Sequence, residues 1–284
     1  MNKFDFLLKT CLISIIMTTL IVDTSYFNFY RFYATAQWYK CAHPDEIIED
    51  GYNWVENIEF WEKFKKMFIQ TLEKFKKKFK AEKVIFARDC PRNEIWRMPF
   101  FSNYKGDRED NYKKNKFMGG PVFKRCYSEI IDNLIDNKVY YQIKIDHLEA
   151  DDIIALTTKY IHSKNPNIKI IIISSDHDLL QLINPMIELY DAKMKCYNNK
   201  SLGDKHKDIF MKCIVGDVSD SIPKIFNRIG NKTALKLIED KNALIQKFNQ
   251  NPGSFDTFCR NYLLVNFDNI PINLINRYMQ YVTF

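Results

Sequence analysis

Carboxylates follow the ends of successive apolar runs in this chain. Asp23 closes the run at 14–22, Asp89 follows 83–88, Glu149, Asp151 and Asp152 lie just beyond 139–145, and Asp176 and Asp178 follow 168–173. Asp217 and Asp220, three apart, would share one face of a helix start and could join them. Each acid alone has an ordinary reading, because Asp at a strand end commonly caps the following helix and opposes its dipole. Four such ends together do not, since crowded carboxylates repel and some would be forced to protonate near neutrality. Bound cations remove that conflict. Ligand sets made only of oxygen, without Cys or His, suit hard divalent ions, above all Mg²⁺, with Mn²⁺ as a substitute. There are too many acids for one ion, which implies two. Two such ions beside a basic loop suit in-line displacement at phosphorus, so these residues point to metal-dependent phosphoryl transfer or hydrolysis on a polyanion.

The acids converge only if the apolar runs are neighbouring parallel strands, whose carboxyl ends share one edge. The pattern supports this. Runs at 14–22, 83–88, 139–145 and 168–173, with a fifth at 186–190, alternate with helical segments, as in an α/β domain with a mostly parallel central sheet flanked by helices. Between the first two runs, Trp54, Ile58, Trp61, Phe64, Phe68, Leu72, Phe75 and Phe79 recur at three- and four-residue steps, which predicts a helix with one apolar stripe and a solvated lysine face. Helices are also expected at 123–137 and from 149 through 161. Residues 91–121 show neither period and carry seven basic against four acidic residues, the mark of a functional connection. Beyond about residue 200 the pattern changes to short helices, at 204–215 and 232–239 with a turn near Gly230. The expected division is an α/β domain at 1–200 and a helical subdomain at 201–284.

Composition bounds the rest. The 284 residues carry a net charge of +7, with 46% hydrophobic and 27% charged residues, an ordinary globular balance that tolerates a polyanionic partner. Seven scattered cysteines with no C-x-x-C pair fit a reduced, intracellular protein without structural zinc. No H-E-x-x-H and no Ser/His/Asp order stands out. The apolar N-terminal stretch at 7–22 could pass for a signal-peptide core, but Lys9, Thr10, Thr18 and Thr19 interrupt it and no small-residue cleavage site follows. A short helix at 4–13 leading into a buried first strand is the expected reading, with no membrane association.

At these acids the chain resembles the flap endonuclease and 5′-3′ exonuclease family, its phage branch in particular. The matching pieces are Val22-Asp23-Thr24-Ser25; Asp89 with Trp96-Arg97 and Tyr104-Lys105-Gly106-Asp107-Arg108; Glu149-Ala150-Asp151-Asp152; Ser174-Ser175-Asp176-His177-Asp178 with Gln181-Leu182; and Gly216-Asp217-Val218-Ser219-Asp220. Arg228-Ile229-Gly230-Asn231-Lys232-Thr233-Ala234 is similar to the family's helix-hairpin segment, and Val265-Asn266-Phe267-Asp268-Asn269-Ile270-Pro271 to a later phage segment. Order and spacing agree over about residues 15–275.

The resemblance implies a PIN-like nuclease domain with a helix-hairpin-helix-like element in the helical subdomain. It implies that Asp89, Glu149 and Asp151, with Asp23, hold a first metal, that Asp176, Asp178 and Asp217 hold a second, and that Asp152 and Asp220 act through waters. Asp151 and Asp176 would then be indispensable to catalysis. Lys105 and Arg108 stand where the family keeps a basic pair on the scissile phosphate. Residues 91–121 would form an arch over a single-stranded 5′ end, with Trp96, Phe100, Phe101 and Tyr104 as stacking surfaces unless they simply pack the loop onto the domain. Arg97, Lys113, Lys114 and Lys232 would add contacts to nucleic acid. The implied activity is removal of 5′ flaps or RNA primers from flapped, nicked or primed duplex DNA, alongside replication proteins. The sequence departs from the family at Ser221, at 224–227 and at Arg228, which occupies a Gly place, so a K⁺ site in the hairpin is not carried over. Two other readings stay open: a single-strand ribonuclease of the PIN type, and a non-catalytic binder of branched DNA.

Overall fold

The structure, a computed structural model, describes residues 17–108, 114, 116–136 and 138–282. Five parallel strands form one sheet in the order β3-β2-β1-β4-β5. They are β1 (Thr18–Asp23), β2 (Ala81–Arg88), β3 (Tyr140–Lys144), β4 (Lys169–Ile173) and β5 (Ile187–Tyr190). Alternate side chains leave opposite faces of a strand. Ile21, Ile85, Ile170 and Ile172 therefore enter one core cluster, and Leu20, Val22, Val84, Phe86, Ile171 and Ile173 enter another. Both faces are covered, which is why these strands read as unbroken apolar runs. Each fully buried aliphatic side chain contributes about 1.5–3 kcal/mol, so the central strands dominate the drive to fold.

Helices α1 (Thr24–Ala42), α2 (Ile58–Phe79) and α3 (Gly119–Cys126, prolonged by a π-turn at Tyr127–Ile131) cover one face; α4 (Ala150–Lys164) covers the other. The chain steps from β1 to β2 to β3 in one direction, then crosses the opposite face through α4 and resumes beside β1 as β4. The direction of winding thus reverses between β1 and β4, and in such sheets ligands bind in the crevice outside the strand carboxyl ends at that reversal.

The parallel sheet, its flanking helices and the helical C-terminal region match expectation. Helix α2 begins at Ile58, capped by the Asn57 side chain on the Phe60 N–H at 2.8 Å, rather than at Trp54. Helix α1, in the aromatic stretch after Asp23, was not expected. The expected helix at 4–13 and the start of the first strand lie outside the described residues.

After β5 come α5 (Lys205–Val215), α6 (Asn231–Glu239), α7 (Lys241–Asn249), α8 (Ser254–Val265) and α9 (Ile272–Tyr281). Their apolar sides make two further clusters, one of which takes in Ile95 and Tyr104 from the basic connection. The last turn then returns to the sheet, where Phe267, Ile270, Leu274, Tyr278 and Val282 complete the α4-side core. No helix among the described residues is long and apolar enough to cross a membrane.

One glycine is decisive for the site. Gly216 ends α5 at φ 74°, ψ −179°, and a Cβ there would lie 2.5 Å from the Ile222 carbonyl oxygen and 2.8 Å from the Lys224 nitrogen. Main chain cannot give way as a flexible side chain does. Gly216→Ala is expected to destabilise by about 2–4 kcal/mol, read as a lower denaturant midpoint, and to displace the loop that carries Asp217.

Candidate metal-binding cleft

A cleft of about 560 Å³ opens at the carboxyl edge of the sheet, lined by Asp23, Asp89, Asp151, Asp176 and Asp217 together with Lys105 and Arg108. Asp23 ends β1 and Asp89 follows β2, while Ser174 follows β4. Asp151 sits in the first turn of α4 and Asp176 caps the 3₁₀ turn His177–Leu182. The reversal of the sheet places β1 and β4 side by side, so Ser174 Oγ donates to Asp23 at 2.8 Å. Asp23 also caps α1 through the Tyr26 N–H at 3.0 Å. Burial, then the neighbouring Asp89 carboxylate, pushes its carboxyl up to about 7. Asp89 accepts from Ser25 Oγ at 2.5 Å and from the Ala150 N–H at 2.8 Å, which aims it at the start of α4.

Behind that wall lies a buried ionic cluster. Arg97, 1% exposed, forks onto Asp152 at 2.8 and 2.7 Å and reaches Glu149 at 2.8 Å. Asp152 also accepts from Trp96 Nε1 at 3.0 Å and from the Glu149 N–H at 3.1 Å. Glu149 takes the Lys105 ammonium and the Tyr104 hydroxyl as well. Burial works against its charge, but Lys105 and Arg97 outweigh it and hold Glu149 below the usual carboxylate range. Asp151 makes no ion pair among the described residues: burial, followed by Glu149 and Asp152, outweighs Arg97 and Lys105 and raises it well above the usual range.

A second group forms around Lys212 on α5. Its ammonium contacts Asp178 at 2.6 Å and also Asp217. Burial pushes Asp178 up to about 7 despite Lys212. Asp217, opposed by burial but helped by Lys212 and by two bonds from Ser219, falls to about 2. Asp220 accepts from Arg108 Nη2 at 2.8 Å, and its carbonyl takes the Lys105 N–H at 2.9 Å. These contacts tie the basic connection to the 216–222 loop and hold Lys105 in a left-handed backbone at φ 54°.

Carboxylate oxygens of Glu149, Asp151 and Asp152 lie within 4.8 Å of one another, as do those of Asp178, Asp217 and Asp220. Oxygen-only donors, several of them raised toward protonation by burial and then by neighbouring carboxylates, fit divalent cations. Asp23, Asp89, Asp151 and Asp176 thus meet in one cleft.

Other side chains differ from expectation. Arg97, expected on nucleic acid, is buried on Asp152, Glu149 and the Leu264 carbonyl and holds the protein together instead. Asp152, expected to act on a metal through water, lies in the first acid group with Glu149 and Asp151, while its oxygens are engaged by Arg97, Trp96 and main chain, so it also anchors Arg97. Trp96 and Tyr104, offered as stacking surfaces, are 6% and 2% exposed and bond to Asp152 and Glu149, whereas Phe100 is 52% exposed. Phe101 faces the Arg260 guanidinium at 4.5 Å. Lys114 and Lys232 are exposed. Lys113 lies outside the described residues. Lys212 was not foreseen; its only signal is a position one turn before Gly216 on the helix that leads into Asp217.

Comparison with known proteins agrees with this architecture. A family model described as the 5′-3′ exonuclease N-terminal resolvase-like domain matches residues 18–207. Ribonuclease H of Enterobacteria phage T4 is 25% identical over 213 residues, which is 70% of this chain and 69% of that protein. The 5′-3′ exonuclease of Buchnera aphidicola is 30% identical over 170 residues, covering 58% of this chain and 55% of its own length, so the chain spans about half of that relative. Among solved structures, a bacteriophage T5 flap endonuclease in a pseudo-enzyme-product complex with DNA and metal ions has the same fold, with a TM-score of 0.65 at 19% identity over 93% of this chain and 97% of that one.

Proposed function

The chain belongs to the 5′-3′ exonuclease family, a family of phosphodiester hydrolases, and from that premise we propose that it is a Mg²⁺-dependent, structure-specific 5′ nuclease that removes 5′ flaps or RNA primers from duplex DNA. The observation that carries this reading is the cleft itself: five carboxylates from separate elements face Lys105 and Arg108 at the reversal of a parallel sheet. A backbone phosphate seated there would meet the Lys105 and Arg108 cations on one side and carboxylates on the other. Asp23, Asp89, Glu149 and Asp151 would hold one divalent ion, and Asp176, Asp178 and Asp217 a second, with Asp220 beside it. When bound, such ions supply an ionised water and charge neutralisation for the leaving oxygen. Lys105 and Arg108 neutralise the scissile phosphate and fix its orientation. Lys232, exposed near the start of α6, suits a duplex phosphate, which positions the substrate without reading its bases. The same fold in a bacteriophage T5 flap endonuclease complexed with DNA and metal ions supports the same reading.

Product mapping on flapped, nicked and RNA-primed duplexes tests it. Cleavage at the 5′ branch, lost on chelation and restored by Mg²⁺, is expected. Equal cutting of unbranched single-stranded RNA would favour the ribonuclease reading, and metal binding without hydrolysis the non-catalytic one.

A pH dependence follows from Asp23 and Asp178, both raised to about 7. Cations need them ionised, so affinity for Mg²⁺ should climb from pH 6 to pH 8 and then level. Calorimetry at pH 7 in buffers of different ionisation enthalpy should show on the order of one proton released per protein from Asp23 and Asp178 together on saturation, with Asp151 adding to it. No proton release at pH 7 would remove Asp23, Asp151 and Asp178 from the ligand set.

A further inference from the structure

Helix α8 contributes no carboxylate to the cleft, yet its C-terminal half and the residues after it touch every element that carries the two acid groups. Asn261, fully buried, donates from Nδ2 to the carbonyls of Cys213 at 2.9 Å and Pro223 at 2.8 Å, one on each side of the loop with Asp217 and Asp220. The Leu264 carbonyl accepts Arg97 Nε at 2.7 Å, and Arg97 holds Glu149 and Asp152. Gln181 Nε2 donates to the Val265 carbonyl at 3.0 Å and to the Asp178 carbonyl at 2.9 Å, while Gln181 Oε1 accepts from the Phe267 N–H at 3.2 Å. Gln181 is itself 6% exposed. Main-chain groups of one short segment thus fix two side chains, Arg97 and Gln181, and the segment's own Asn261 side chain makes a third connection, each leading to a different acid-bearing element.

From this geometry we infer that residues 261–267 form a positioning clasp that sets the separation of the two acid groups, with Asn261, Gln181 and Arg97 as its positioning residues. The inference rests on the metal-dependent reading above and extends it to a segment beyond the matched residues 18–207. A clasp of this kind makes the two groups share one support. Loosening it anywhere weakens cation binding at both, because sub-ångström displacement of ligands is what second-layer hydrogen bonds prevent.

The test is Mn²⁺ binding to the full chain, followed by electron paramagnetic resonance, with Asp151→Asn and Asp217→Asn used to assign the two affinities. Asn261→Ala and Gln181→Met should each weaken both affinities about tenfold. The Mn²⁺ concentration for half-maximal flap cleavage should rise in parallel, KM for the flap should stay within about twofold, and Asn261→Ser, which keeps a donor, should recover part of the loss. A merely structural role would lower the denaturation midpoint without moving these metal dependences. Unchanged Mn²⁺ affinity, or weakening confined to one acid group, overturns the clasp. Should Asn261→Ala fail to fold, Gln181→Met carries the same outcomes. Absence of Mn²⁺ binding by the wild-type chain would instead overturn the metal-dependent reading and the clasp with it.

Discussion

Asp151→Asn should lower cleavage of a 5′-flap duplex by about a thousandfold or more while the protein stays folded. Asp151 lines the cleft, makes no ion pair among the described residues, and is raised well above the usual carboxylate range by burial and by Glu149 and Asp152. A carboxyl whose folded value is raised opposes folding at pH values above its ordinary 3.8 and stops opposing it as the pH falls. Asparagine removes that opposition at neutral pH, so the melting temperature should equal or exceed that of the wild type. The change therefore separates chemistry from folding. Asp176→Asn is expected to act in the same direction, since Asp176 lines the same cleft and its cap on the Asp178 N–H at 2.8 Å survives as an amide oxygen. Rates measured under single-turnover conditions, with thermal denaturation alongside, decide the matter: wild-type cleavage by both variants would end the assignment of this cleft as the cutting site.

Arg97→Leu should be the most destabilising single change, by about 3–5 kcal/mol in chemical denaturation. The guanidinium is 1% exposed and holds two buried carboxylates and a carbonyl. Removing it leaves Asp152 wholly buried, with Trp96 and main chain as its partners among the described residues, and leaves Glu149 with Lys105 and Tyr104. Breaking one partner of such a cluster is far worse than replacing the whole cluster. The double change Arg97→Leu with Asp152→Leu should therefore recover part of the loss. A shift under about 1 kcal/mol in the single variant would mean that water reaches these carboxylates, contrary to their burial.

Much of the site is readable before any coordinates because its parts are short and local. A parallel strand buried on both faces is a continuous apolar run, and an acid at its end sits on a predictable edge. The β1–Asp23, β2–Asp89 and β4–Asp176 relations follow from that alone. What stays hidden depends on packing between distant segments. Helix α1 buries Thr24, Asn28, Arg31 and Thr35 among Phe27, Phe32, Ala36 and Tyr39, so its inward side is visible only if polar residues are counted with the apolar ones. Arg97 reads as one more cation of a basic loop, and nothing local marks it as the partner of Asp152 and of a carbonyl at Leu264. Two departures from the family pattern do carry structural meaning. Ser221 and Arg228 adopt φ 56° and φ 55°, a left-handed backbone in which Asn or Gly is strained less.

The return of the chain to the sheet has a consequence in time. Phe267, Ile270, Leu274, Tyr278 and Val282 finish a core whose first strand was made some two hundred and fifty residues earlier, and the carbonyl that secures Arg97 belongs to Leu264. During synthesis the five strands emerge well before the segment that closes over them. A nascent chain that still lacks residues 264–282 therefore lacks the support that aligns the acids, and the cutting edge is assembled only after that segment has emerged. Protease resistance of stalled ribosome-bound chains extended by a C-terminal linker, rising sharply once the linker is long enough to bring Val282 out of the exit tunnel, would report that schedule.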